Sequence, residues 1–227
     1  MAPTLAPDHL PAAPAGDGGS AAPRRRRRPP LRALAVAAVA AVLALVAVSA
    51  GLRLLRPHRY GGTVMQAPTA APSTEGLFFT DGRPLDLAAW HGDVVLVYFG
   101  YTHCPDVCPT TLSKVANARL AIGEDAARVH LVMITVDPER DDPALLGPYT
   151  AAFDPTFLGA TGTPEAVARV ATTYGVFFAR GEQRGPDDYA VDHTATLLGL
   201  DTDGHLRIVW PTDVTVEQLA GDLEELL

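Results

Sequence analysis

The chain of 227 residues has almost no cysteine, and Cys104 and Cys108 are all there is. That scarcity excludes the structural zinc sites built from three or four thiolates. The pair also lacks the spacing of two common motifs. A thioredoxin-type dithiol is C-x-x-C and haem attachment wants C-x-x-C-H, whereas here Pro105, Asp106 and Val107 intervene. Positive charge is scarce as well, once the first 59 residues are set aside. Those residues carry nine arginines and only two acids, Asp8 and Asp17, which leaves 9 basic against 24 acidic residues in the remainder. An acidic body of this kind excludes nucleic acid as a partner, because phosphate binding needs clustered Lys and Arg. It is compatible with a cationic partner. No internal repeat with a period of about 20–50 residues is present.

What the sequence does have begins at the N-terminus. Met1 to Pro23 is rich in Ala, Pro and Gly and poor in large apolar residues, which predicts disorder. Arg24 to Arg28 and Arg32 then precede a 20-residue stretch without charge, Ala33 to Leu52. At a helical rise of about 1.5 Å per residue this stretch spans about 30 Å, the thickness of a bilayer core. Arg53, Arg56 and Arg59 follow it. Six arginines before and three after place the N-terminus in the cytoplasm by the positive-inside rule. The expected organisation is a disordered basic cytoplasmic tail over 1–32, a single transmembrane anchor over 33–52, a flexible linker over 53–74 and a globular domain over 75–227. The domain is then extracytoplasmic, on the outer side of the cell membrane. A cleaved signal peptide ending at Val48-Ser49-Ala50 is the alternative reading, and it exports the same domain.

Within 75–227, Asp81-Gly82 between two apolar patches predicts a hairpin turn. Asp93 to Tyr101 and Arg128 to Asp137 are continuous apolar, β-branched runs, the pattern of strands buried on both faces. The segment after the cysteines predicts a helix from Pro109, with Leu112, Val115, Ala116 and Leu120 on one face and Gly123 as its stop. A helix over 143–153 carries Pro148, and another is capped by Thr163, opened by Pro164 and ended by Gly175. "ATLLGL", "DTDG" and "HLRIVW" read as a β-hairpin, and the last 13 residues as an amphipathic helix. The order predicts a mixed central sheet with flanking helices, an α/β fold.

Cys104 and Cys108 therefore lie between a buried strand and a helix, where ligands collect in open α/β sheets. The positive end of the helix favours thiolate over thiol. A structural disulfide closing so short a loop would stabilise little, so the pair reads as redox-active or metal-binding. A metal needs a further ligand. His9 and His58 fall outside the expected domain, His91 is at a turn, His130 within a strand and His205 after the Asp203-Gly204 turn. His103 adjoins Cys104 but would have to fold back to share a metal with it. His193 precedes a buried strand, and approaches the cysteines if that strand lies beside the one ending at Gly100. Two thiolates and an imidazole suit Cu(I) through sulfur and Cu(II) through nitrogen.

Four blocks, "YFGYTHCPDVCPTTL", "ITVDPERDDP", "GATGTPEAVARVATTYGV" and "YAVDHTATLLGLDTDGHL", resemble in order and spacing the Sco/SenC family of copper-binding proteins. The resemblance covers about Glu75 to Leu227. It implies a thioredoxin-like fold with an added N-terminal hairpin, behind an N-terminal membrane anchor. It implies copper, as Cu(I) and Cu(II), held by Cys104, Cys108 and His193. It also implies delivery of that copper to the copper-binding subunit of cytochrome c oxidase, at its binuclear centre, after loading by a copper donor protein. Two rival roles are a thiol-disulfide reductase that keeps the subunit's ligating cysteines reduced, with Cys104 and Cys108 as the redox pair, and a redox or copper sensor. Thr194 stands where the family commonly has Ser. Asp106 and Asp137 match family positions and read as turn or capping residues. Asp192 is expected to orient His193, and the loop Arg180 to Tyr189 to influence partner choice.

Overall fold

The computed structural model describes residues 31–54, 58–183, 185 and 189–227. The tail expected over 1–32 lies outside the described residues up to position 30. The chain divides into two units, 1–56 and 57–227. The first contains one 24-residue helix, α1 (Leu31–Leu54). Apart from Arg32 and Ser49, its described side chains are apolar and exposed, and the described residues run without interruption only over 38–49. Among the described residues no helix is long and apolar enough to cross a membrane.

The second unit runs β1 (Thr63–Ala70), β2 (Leu77–Phe79), β3 (Val94–Gly100), α2 (Val107–Ala121), β4 (Val129–Thr135), α3 (Pro143–Ala151), β5 (Leu158–Gly162), α4 (Pro164–Thr173), β6 (Phe178–Gln183), β7 (Tyr189–His193), β8 (Leu197–Leu200), β9 (His205–Trp210) and α5 (Val216–Leu226). Seven strands form one mixed sheet in the order β1-β9-β8-β3-β4-β5-β2, and β6 pairs with β7 alone. The centre is parallel: β3 pairs with β4 and β4 with β5, while β8 lies antiparallel on the other side of β3. All seven residues of β3 are buried, as its unbroken apolar run requires. α2 packs against α5, and α3 and α4 against β5.

The expected hairpin is present. Phe79 N–H donates to the Arg83 carbonyl, Leu85 N–H to the Leu77 carbonyl, and Phe78 bridges Pro84. Gly82 takes φ +86°, which an L side chain disfavours. The expected caps of α4 also hold: Thr163 accepts from Ala166 N–H, Pro164 opens the helix and Gly175 follows with φ +70°.

The flexible linker over 53–74 is overturned from His58 onward. β1 pairs with β9, and the residues ahead of it are fastened to a fully buried carboxylate on α5. Asp222 accepts from Gly61 N–H at 2.9 Å, Gly62 N–H at 3.3 Å and Trp210 Nε1–H at 2.6 Å, and pairs with His58 Nε2 at 2.6 Å. Four donors to one carboxylate are what let a charge be buried there. β1 hid in the sequence because its exposed edge position needs no apolar alternation. β5, with the sequence LGATG, was unread for a different reason. A Cβ at Gly159 would stand 2.6 Å from Leu146 Cγ of α3, so this strand spends a glycine on close helix packing and loses the apolar signature of a strand.

Candidate metal centre

β3 ends at Gly100 and the chain turns into the cysteine loop. Asp141, fully buried in the loop between β4 and α3, ties this turn down. It accepts from Thr102 N–H at 3.0 Å, Thr102 Oγ1–H at 2.6 Å and Thr135 Oγ1–H at 2.7 Å. α2 then starts at Val107, two residues before the expected Pro109, so Cys108 sits in the first helical turn. Pro109 is tolerated there because first-turn N–H groups have no intrahelical partner. One of those free donors, Cys108 N–H, points at Cys104 Sγ at 3.4 Å. The sulfur thus does what a capping oxygen normally does. Asp106, at the formal cap position, makes no side-chain capping bond.

β8 lies beside β3 with Leu197 opposite Tyr98, as the approach of His193 to the cysteines required. His193 is the last residue of β7. Its Nε2 stands 3.7 Å from Cys108 Sγ. Its Nδ1 is 3.2 Å from the Thr194 carbonyl, and the tautomer that donates from Nδ1 leaves the Nε2 lone pair facing the sulfurs. The edges of Tyr98 and Tyr101 flank the ring. Asp192 therefore does not orient His193; a backbone carbonyl does, and the Asp192 carboxylate lies against Gly181 instead. Thr194 closes the loop by donating N–H to the Phe177 carbonyl and accepting from Phe177 N–H at Oγ1.

One ligand atom from each of Cys104, Cys108 and His193 lies within 4.8 Å of the others. Both cysteines are free thiols; Cys108 is buried and Cys104 partly exposed. They are electrostatically unlike. Hydrogen bonding from the Cys108 thiol, helped by His193 and by the backbone N–H groups of Cys108 and Asp106, holds Cys104 well below the ordinary thiol range. Donating to Cys104, together with burial, pushes Cys108 up. The pair thus shares one proton, with the negative charge on the exposed sulfur. Two such sulfurs and one imidazole nitrogen form a soft, three-donor set.

The other candidates lie elsewhere. His103 is half-exposed and turned toward Thr102, 3.0 Å away, and Asp141. Asp137 is buried, bound by Arg140 and by Tyr189 Oη–H at 2.7 Å. His130 pairs with Asp93 and stacks on Trp90. Asp201, Asp203 and His205 come together at the β8–β9 turn, but Asp201 Oδ1 already accepts the backbone N–H groups of Asp203 and His205. A cavity of about 440 Å³ opens near Val95, at the opposite end of β3, and contains no sulfur. β6 and β7 occupy the two ends of the expected loop Arg180–Tyr189, and most of the residues between them lie outside the described residues. Two contributors escaped sequence reasoning, Tyr98 and Asp141. Neither carries a spacing signal, since one reads as a core aromatic and the other as one acid among several.

The fold and this site define a thioredoxin-like α/β domain with a two-cysteine, one-histidine centre. The match to the SCO1/SenC family spans residues 70–227, and the chain belongs to that family. The mitochondrial SCO2 homologue of Mus musculus is 38% identical over 144 residues, 63% of this chain and 56% of the relative. The chain spans about half the length of the mitochondrial relatives it matches. Among solved structures, apo Sco1 from Thermus thermophilus is 38% identical with a TM-score of 0.67, over 75% of this chain and 98% of that one. Bradyrhizobium japonicum ScoI with copper bound is 37% identical with a TM-score of 0.61, over 71% and 98%.

Proposed function

We propose that this protein is a membrane-anchored, extracytoplasmic copper metallochaperone that delivers copper to the binuclear copper centre of cytochrome c oxidase. The observation that carries the reading is the convergence of Cys104, Cys108 and His193 within 4.8 Å. It is supported by family membership and by the copper bound to the Bradyrhizobium relative. The two sulfurs suffice for Cu(I), and the imidazole adds the nitrogen that Cu(II) accepts. Cys104 is the sulfur that an acceptor's ligand reaches first, because Cys108 is buried beneath it. The apolar run over 33–52 serves as the anchor, with the N-terminus in the cytoplasm.

The state of Cys104 favours a second reading, reduction of a disulfide in the oxidase subunit. The Cys104 thiolate would attack one sulfur of that disulfide and release the other as a thiolate. Cys108 would then displace the mixed disulfide, leaving Cys104–Cys108 oxidised and the partner's dithiol reduced, a two-electron exchange. Full-length protein purified in detergent under reducing conditions separates the readings. Copper near one equivalent with two titratable thiols before loading supports delivery; rapid turnover of a disulfide substrate with no copper retained supports reduction. An inactive alkaline phosphatase fused to the C-terminus would overturn the export of the domain, since that enzyme needs oxidising conditions.

A further inference from the structure

Behind the two sulfurs lies a third polar group that neither reading uses. Tyr98 projects from the central strand β3 and is completely buried. Its hydroxyl donates to Cys108 Sγ at 3.4 Å. The contact is enforced by the backbone: a Cβ at Gly100 would meet Tyr98 Cε1 at 2.7 Å, Cys108 Sγ at 3.0 Å and Met133 Cε at 3.1 Å. No side chain fits between phenol and sulfur. The Thr111 side chain is buried one turn further along α2, so no water reaches the phenol from that side.

The phenol thus donates to Cys108 Sγ, and the Cys108 N–H points in turn at Cys104 Sγ. A hydrogen bond in a low-dielectric interior is stronger than one in water, and this one ends on a sulfur of the pair. We infer that Tyr98 is a tuning residue whose buried O–H stabilises the reduced sulfur pair over the disulfide and draws electron density from the sulfur that would face copper. Hydrogen bonds to a ligating sulfur are a recognised lever on the potential and covalency of a copper–thiolate bond. The part concerning copper rests on the proposed delivery function. The part concerning the dithiol does not.

The test is Tyr98→Phe in the full-length protein, which keeps the ring and removes only the donor. In a glutathione redox buffer the metal-free variant should shift toward the Cys104–Cys108 disulfide by roughly fivefold, about 20 mV more negative at about 30 mV per decade for a two-electron couple. Tyr174→Phe, whose hydroxyl donates to the Pro72 carbonyl away from the sulfurs, should leave it unchanged. With Cu(II) bound, the sulfur-to-copper charge-transfer band of Tyr98→Phe should move to lower energy at unchanged copper stoichiometry. An unchanged disulfide equilibrium in Tyr98→Phe overturns the assignment whatever the copper spectrum does. Copper absent from wild type and variant alike overturns the delivery reading, and the glutathione measurement still decides for Tyr98.

Discussion

The seven-stranded sheet and the β6–β7 hairpin contribute to the same centre and are held in different ways. The sheet fixes the two sulfurs through backbone. β3 is hydrogen-bonded on both sides, and Thr102 of the cysteine loop makes two bonds to Asp141, which Thr135 of β4 holds by a third. The hairpin, which supplies the imidazole, pairs with no strand of the sheet. It is held by side chains. The Tyr189 ring lies between the guanidinium groups of Arg140, at 3.5 Å, and Arg180, at 3.8 Å. Its hydroxyl reaches Asp137, and the Tyr101 hydroxyl accepts from Val191 N–H at 3.3 Å. The difference teaches that the metal set has a rigid two-sulfur half and a separately mounted nitrogen half. Ligand loss should therefore be felt unequally by Cu(I) and Cu(II).

The largest effect should come from the rigid half. Cys108→Ser leaves one thiolate and one imidazole, and Cu(I) affinity should fall at least about 100-fold, some 2.8 kcal/mol at about 1.4 kcal/mol per decade. Competition with a Cu(I) chelator measures it, and unchanged affinity would remove Cys108 from the site. His193→Ala breaks the other half. Cu(II) affinity should fall by about 30-fold while Cu(I) falls by less than about fivefold, because Cu(I) keeps its two sulfurs. Equal losses for both oxidation states would mean that the halves are not separable. Tyr189→Leu sharpens the comparison by loosening the hairpin without touching a ligand. Two cation–π contacts at about 0.5–1 kcal/mol each correspond to a loss of about five- to 25-fold for Cu(II) and no measurable loss for Cu(I). A Cu(I) loss as large as the Cu(II) loss in that variant would show Tyr189 acting on the sulfurs.

The smallest expected effect is a slope near zero. Ordinary thiols lose about tenfold in alkylation rate for each pH unit below about 8.5. The Cys104 rate should stay nearly flat from pH 8 to pH 5, because its folded-state pKa is lowered. The same shift has a sign in stability. The Cys104 thiolate contributes fully above the unfolded thiol value and loses that contribution as pH falls through the lowered folded value. A rate that falls steeply below pH 8 would show the sulfur pair not sharing its proton as described.

The central strands, the hairpin at Gly82, the caps of α4 and the β8–β9 hairpin were all legible, because each rests on local chemistry: buried β-branched runs, a glycine at positive φ, a threonine ahead of a proline. Leu120, assigned to the buried face of α2, is instead 79% exposed. The inward positions are Leu112, Val115, Ala118 and Ile122, with Arg119 buried against Asp154 and Thr156. An arginine bonded to partners 35 and 37 residues away leaves no local mark on the apolar pattern. The site divides the same way. The cysteine pair announced itself by spacing, but by pattern alone His193 was one histidine of seven; the family resemblance singled it out, and the β3–β8 pairing sets the strand that follows it beside the strand that leads into the cysteine loop. The supports of the site were illegible because they act through burial alone. Tyr98 and Asp141 look like any core aromatic and any loop acid until their partners are known.

The buried Asp222 decides where the folded unit of residues 57–227 can be cut. A fragment beginning at Glu75 discards His58, Gly61 and Gly62, three of the four groups on that carboxylate, and leaves it buried with Trp210 alone. It also strips β1 from β9, which exposes a run of unpaired strand edge of the kind that recruits a second molecule. A fragment that keeps Pro57 onward preserves both. The eighteen residues between these two starting points, which read as a tether, behave as the chain's own chaperone for its last strand.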